Sequence, residues 1–296
     1  MRMVLLCFWC LLLQSCLAQN DAIDVYYRYF GKGQPIVLIN GGPGMNSEGF
    51  AGLATLLSEN HRVILFDQRG TGHSVLPEIN ASTITMDAMV ADMEKLREKL
   101  QLKDWIVMGH SFGGMLASYY TTKHPDRVKA LILSSSGGID LDLLQYVSAA
   151  IRNRLTKQEQ DSLDYWNERI ANGDTSYNAR IARGRALAPA YLEKKEFVPQ
   201  VAERLTQGNM RINNLVFDNM RKMGFNCAAG LSQYKGPVLV VQGKQDIIRA
   251  ATAMKVKTIL PAARIELIDQ CAHYGWLEQK EKYTGIVLGF LSEHNL

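Results

Sequence analysis

A hydroxyl held between glycines is the sharpest chemical signal in this chain: Gly109-His110-Ser111-Phe112-Gly113-Gly114. A serine hydroxyl is a weak nucleophile until a base takes its proton. The base in turn needs an acid that fixes its tautomer and stabilises the imidazolium. Two residues far down the chain have the types and places for these roles, Asp246 in Gly243-Lys244-Gln245-Asp246 and His273 in Asp269-Gln270-Cys271-Ala272-His273. Singly they say little, because a loop aspartate is usually a turn former and a lone histidine usually a polar surface or satisfied core residue. Asp269 is a rival acid, but it lies in the same loop as His273 and ranks below Asp246. His61, His73, His124 and His294 sit in connecting, Gly-rich or terminal segments and His110 is inside the serine turn, so none has the positional claim of His273. Acyl transfer also needs donors for the oxyanion, and Asn40-Gly41-Gly42-Pro43-Gly44 offers them. The backbone amides of Gly42 and Phe112 are the expected pair. No His/Cys cluster has metal-ligand spacing, so neither a metal nor another cofactor is expected.

These segments do chemistry only if something brings them together. Short β-branched and Leu-rich runs at 36–39, 63–66, 105–108, 128–133, 237–241 and 265–268 read as buried parallel strands. The Gly-rich loop, the serine turn, Asp246 and His273 each follow one of them, which puts all four at the carboxyl ends of strands. Between strands lie helical stretches. In 86–100 the apolar positions Met86, Met89, Val90, Met93, Leu96 and Leu100 follow a 3.6-residue period. An apolar helix is expected at 115–121, right after the serine, where its N-terminal amides favour negative charge, and another at 280–291. The βαβ alternation predicts a mostly parallel, doubly wound sheet. It breaks after Gly137-Gly138, and from 141 to 232 the chain is polar, charged and helix-prone with no convincing strand. We read a core of residues 21–138 and 236–296 with an inserted helical cap at 139–235.

The chain has 296 residues, 47% apolar and 21% charged, enough to bury a sizeable core without requiring a second domain. Its net charge of +4 comes from 33 basic and 29 acidic residues scattered along the sequence, which argues against nucleic acid as a partner. The first residues differ in kind. Arg2 precedes an apolar run at 4–13 that is too short to span a bilayer and fits the h-region of a signal peptide, so export is expected. Leu13-Gln14-Ser15-Cys16 resembles a lipobox, giving a lipoprotein signal at 1–15 and a lipid on Cys16; cleavage after Ala18 is the second reading. In a bacterium the protein would be periplasmic or anchored to a membrane through its lipidated N-terminus. Cys7, Cys10 and Cys16 fall in this leader, leaving Cys227 and Cys271, which is no disulfide framework. Two unpaired thiols are expected, with one bridge as the alternative.

The serine turn in its strand–turn–helix context, with the order Ser, Asp, His, resembles the α/β-hydrolases. Within them the chain is similar to the prolyl aminopeptidase (proline iminopeptidase) group, which carries a His-Gly-Gly-Pro-Gly loop, an Asp-Gln-Arg-Gly segment and the serine turn. Here these appear as Asn40 to Gly44, Asp67-Gln68-Arg69-Gly70 leading to Gly72-His73-Ser74, and Gly109 to Gly114. The resemblance spans residues 36–138 and 237–291 and implies an α/β-hydrolase fold. It also implies a serine hydrolase acting on a small molecule or short peptide, as a prolyl aminopeptidase or, alternatively, a carboxylesterase of small acyl esters. Asn40 stands where the family has His, a change the oxyanion amides should survive. In the family, cap glutamates hold the substrate's amino terminus, one of them in an Arg-Ile-Glu-Asn stretch. Here Arg211-Ile212-Asn213-Asn214 puts an uncharged residue, Asn213, at that place, and Glu168 and Glu203 are the candidate substitutes. Ser111 argues against the dehalogenases and epoxide hydrolases, which use an Asp nucleophile. A non-catalytic ligand receptor on the same fold is the reading from another class. Oligomeric state stays open.

Overall fold

The computed structural model describes residues 22–296; the leader readings at 1–18, with Cys16, lie outside the described residues. Seven strands form one sheet: β1 (Tyr27–Phe30), β2 (Gln34–Ile39), β3 (His61–Phe66), β4 (Trp105–His110), β5 (Val128–Ser134), β6 (Val238–Gly243) and β7 (Arg264–Ile268). Their spatial order is β1-β3-β2-β4-β5-β6-β7. β1 runs antiparallel to β3, and every other pairing is parallel. The central strands are continuous apolar runs because both faces of the sheet are covered. Side chains alternate between the faces with period two. Val37, Ile39, Val107 and Leu131 belong to one buried cluster, and Ile36, Leu38, Ile106 and Ile132 to the other.

In chain order the helices are α1 (Ala51–Leu57), α2 (Met86–Lys99), α3 (Phe112–Lys123), α4 (Val147–Asn153), α5 (Lys157–Ala171), α6 (Tyr177–Leu187), α7 (Val198–Leu205), α8 (Met210–Lys222), α9 (Ala228–Leu231), α10 (Ala250–Ile259), α11 (Gly275–Glu278) and α12 (Lys280–Glu293). α2 begins where the Thr85 hydroxyl accepts from the Ala88 amide at 3.1 Å, with Asp87 in its first turn and Arg97 and Lys99 in its last. It presents Met86, Met89, Val90, Met93 and Leu96 to the core, as the periodicity predicts. α4 to α9 all lie between β5 and β6 and form the helical insertion. Its only strand-like feature among the described residues is an isolated bridge, Asp140 to Asn226, where the insertion leaves and rejoins the sheet.

One strand, β1, is missing from the sequence reading. Tyr27-Arg28-Tyr29-Phe30 is short, half-exposed and aromatic, with no apolar run or clean alternation to mark it, and it lies at the sheet edge. The Asp-Gln-Arg-Gly segment after β3 is structural. Arg69 meets both oxygens of Asp92 on α2 at 2.7 and 2.8 Å, fully buried. Asp67 accepts from Ser47 and from the His73 amide, and Gln68 donates to the Asn40 carbonyl at 2.8 Å. Cys227 and Cys271 are both free and buried, one in each cluster, and burial pushes each thiol up to about 12. Among the described residues no helix is long and apolar enough to cross a membrane.

Candidate functional site

Ser111 is the single residue between β4 and α3. Its φ of 55° and ψ of −119° place it in a region that side chains other than glycine seldom adopt. The surroundings hold it there. Its amide donates to the Ser134 carbonyl at 3.0 Å, and its own carbonyl accepts from the Gly114 and Gly137 amides, each at 3.0 Å. The flanking glycines are required by packing: a Cβ on Gly109 would stand 2.1 Å from the Gly113 carbonyl oxygen, and one on Gly113 would stand 2.2 Å from that of Ile39. The sheet thus packs backbone against backbone under the turn and raises Ser111 above the strand ends.

The loops after β6 and β7 meet beside it. His273 Nδ1 and Asp246 Oδ1 are 2.8 Å apart, with the His273 side chain 3% and the Asp246 side chain 0% exposed. Asp246 also accepts from the Ile248 amide at 3.1 Å, which sets its carboxylate. With Nδ1 committed to the carboxylate, Nε2 is the nitrogen free to exchange a proton. The His273 ring stands in an aromatic cluster, with the centroids of His110, Tyr191 and Tyr274 at 4.6, 5.4 and 5.4 Å. His110, next to Ser111 in the chain, therefore sits against His273. Its burial drives its pKa well below 6.5, with the nearby His273 and Arg204 acting in the same direction, so it stands neutral. Among the described residues Ser111 Oγ makes no hydrogen bond.

The loop after β2 closes the third side. A Cβ on Gly41 would come within 2.8 Å of Ser111 Cβ, so the Gly41-Gly42 backbone borders the serine. Gly42 has φ of 71°, and its carbonyl accepts from the Met45 amide at 3.0 Å, closing a tight turn. Asn40, buried, donates from Nδ2 to the Gly41 carbonyl at 3.1 Å and the Met45 carbonyl at 3.0 Å. The helical insertion supplies one further group that the sequence reading missed. Arg204 on α7 donates from Nη2 to the same Gly41 carbonyl at 2.8 Å. Its signal was its place between Ala202 and Leu205 and three residues after Val201, all buried on one helix face, where a solvated arginine does not belong.

The structure brings Ser111, His273, Asp246, Gly42 and Phe112 into one neighbourhood. It does not bring Glu168 and Glu203 there. Glu168 is exposed on α5, and Glu203 is exposed on α7, where its carboxylate accepts from the Tyr177 hydroxyl at 2.5 Å. Asn213 lies at the edge of the site, Nδ2 to the Pro43 carbonyl at 3.5 Å. The rival Asp269 is an exposed partner of Lys244 at 2.7 Å.

Residues 34–279 match the family model described as alpha/beta hydrolase fold. The chain is 30% identical to a proline iminopeptidase of Lactobacillus delbrueckii subsp. bulgaricus over 287 residues, which covers 90% of this chain and 94% of that one. It is 26% identical to a proline iminopeptidase of Heyndrickxia coagulans over 272 residues, covering 88% and 92%. Among solved structures, the proline iminopeptidase of Mycobacterium smegmatis superposes with a TM-score of 0.68 at 21% identity, covering 91% of this chain and 95% of that one.

Proposed function

The chain belongs to the alpha/beta hydrolase fold family, and from that premise we propose that it is a serine hydrolase cleaving an ester or amide bond of a small substrate through Ser111, His273 and Asp246. The observation that carries this is the buried 2.8 Å Asp246–His273 contact beside the strained turn of Ser111. In the reaction Ser111 Oγ attacks the substrate carbonyl carbon as His273 Nε2 takes its proton. The Gly42 and Phe112 amides receive the charge on the tetrahedral oxygen. His273 then returns the proton to the leaving alcohol or amine, and the acyl group stays on Ser111. Water, activated by the same nitrogen, attacks the acyl-enzyme and releases the acid and the serine hydroxyl. Asp246 remains ionised throughout. The helical insertion, residues 139–235, acts as a cap that shapes the substrate's entrance, and the leader at 1–18 directs export.

A second reading, removal of an N-terminal proline from short peptides, is favoured by the proline iminopeptidase relatives, which align over about nine tenths of this chain. It needs a group to hold the substrate's ammonium. Asn213, at the rim of the oxyanion loop, is the polar side chain offered, and it carries no charge. The test is the initial rate on p-nitrophenyl acetate and prolyl p-nitroanilide, with Ser111→Ala as control. Ser111-dependent turnover of the ester alone selects the esterase reading, and of the anilide the aminopeptidase. Failure of a fluorophosphonate to label Ser111 in the folded protein would reject the hydrolase and leave the ligand receptor.

A further inference from the structure

Arg204 is 6% exposed, and among the described residues no carboxylate lies within salt-bridge distance of it. Its guanidinium carbon stands 4.5 Å from the Phe50 ring centroid, Nη2 donates to the Gly41 carbonyl, and Nε and Nη1 find no acceptor. Gly49 leaves the slot for it: a Cβ there would fall 2.9 Å from Nη1 and 3.0 Å from Cδ. Burying a guanidinium with no counter-charge works against folding even with the Gly41 carbonyl, the Phe50 ring and the Tyr274 side chain beside it, and an apolar side chain of similar volume is usually tolerated at least as well. Stability therefore gives no reason for an arginine here.

The identity of its acceptor does. The Gly41 carbonyl and the Gly42 N–H are the two ends of one peptide group. The carbonyl receives Arg204 Nη2 at 2.8 Å and Asn40 Nδ2 at 3.1 Å. Donors at the oxygen draw electron density from the nitrogen and make its N–H a stronger donor, and in a water-poor site this polarisation is not screened. We infer that Arg204 is a positioning residue that fixes and polarises the Gly41–Gly42 peptide, so that the helical insertion, and not only the sheet, sets the strength of the oxyanion donor. This rests on the reading of Ser111 and Gly42 proposed above. Asn40, where relatives of this type have histidine, serves the same carbonyl. The neutral His110 keeps a second fixed charge away from the imidazole it touches.

The experiment compares wild type with Arg204→Lys, Arg204→Gln and Arg204→Met in the full chain, reading kcat and KM on p-nitrophenyl acetate, the rate of fluorophosphonate labelling, and Tm. Removing a whole oxyanion donor costs about 10²–10³ in kcat, so weakening one is expected to cost about ten-fold in Arg204→Met, in kcat and in labelling rate alike. KM should stay within about two-fold, with Lys restoring most of the rate and Gln less. Unchanged kcat with a raised KM, or a Tm loss without a rate loss, would overturn the inference and make Arg204 a packing residue. If wild type is neither labelled nor active, it is the hydrolase reading that has failed. A direct readout is independent of turnover: the chain has only three Gly-Gly peptides, at 41–42, 113–114 and 137–138. With glycine labelled at its carbonyl carbon and nitrogen, a carbonyl-correlated amide spectrum contains those three signals. Even if Arg204→Met does not fold, Arg204→Gln should shift the 41–42 signal upfield in its amide proton, and Arg204→Lys should shift it less; an unmoved signal in Arg204→Gln would refute the polarisation.

Discussion

The ends of the sheet and the helical insertion obey different rules. At the strand ends backbone touches backbone: Gly109 and Gly113 admit no side chain, Ser111 is tied by four backbone hydrogen bonds, and the Asp246–His273 pair is sealed from water. In the insertion most charged side chains face solvent. Arg152 pairs with Asp164 and Lys157 with Asp161, all at least half-open to water, and Arg169, about half-open, pairs with the less exposed Asp174. The first region tolerates almost no substitution, whereas the second can drift in sequence while its helices keep packing through Leu163, Val201, Leu205 and Ile212. Geometry is over-determined at the strand ends, and the freedom to change lies in the insertion.

Substitutions at graded distances from the strand ends would break or sharpen this contrast. Asp246→Asn, which keeps the shape and removes the charge behind His273, should lower kcat by about 10⁴, roughly 5.5 kcal/mol, with little change in KM. A loss under ten-fold would show that the acid is elsewhere. Gly113→Ala pushes a methyl against the Ile39 carbonyl and should destabilise by more than about 4 kcal/mol, read as a lowered urea midpoint or loss of soluble protein. The third test is the pH dependence of stability. His110 takes up its proton less readily folded than unfolded, so its share of stability is present above pH 6.5 and is lost as the pH falls below it, at up to about 1.4 kcal/mol per unit. Urea midpoints at pH 7.5 and 5.0 should show a steeper decline for wild type than for His110→Phe; equal declines would mean that His110 charges freely. The smallest effects belong to the insertion's surface. Glu168→Gln and Glu203→Gln should leave kcat/KM on either chromogenic substrate within about two-fold, and a ten-fold rise in KM for the prolyl anilide would place a glutamate at the substrate after all.

Legibility in the sequence follows the same division. The serine turn is readable because close packing admits only glycine at its flanks, Asp246 because it follows a continuous apolar strand, and His273 because it follows a shorter strand interrupted by Glu266. β1 lacks that run and was missed. The insertion is readable as helices from composition, but which of its side chains reach the site depends on how they dock. Glu203 and Arg204 are neighbours on α7 and point to opposite fates, one bonded to Tyr177 in solvent, the other buried on a carbonyl 163 residues away. The family resemblance could suggest glutamates for the substrate, but the apolar stripe of α7 marks only which face turns inward, and what that face meets is set by tertiary contacts.

Cys227 and Cys271 give the molecule two internal clocks. Each thiol is buried, and each is pushed up to about 12, so at neutral pH an alkylating reagent must wait for the fold to open before it can react. Cys227 is anchored where the insertion rejoins the sheet, its amide on the Ile139 carbonyl at 2.7 Å, while Cys271 lies in the His273 loop with its amide on Gln245 Oε1 at 3.1 Å. One sulfur therefore times the loosening of the insertion's junction with the sheet and the other the loosening of the loop that carries His273, without any introduced label.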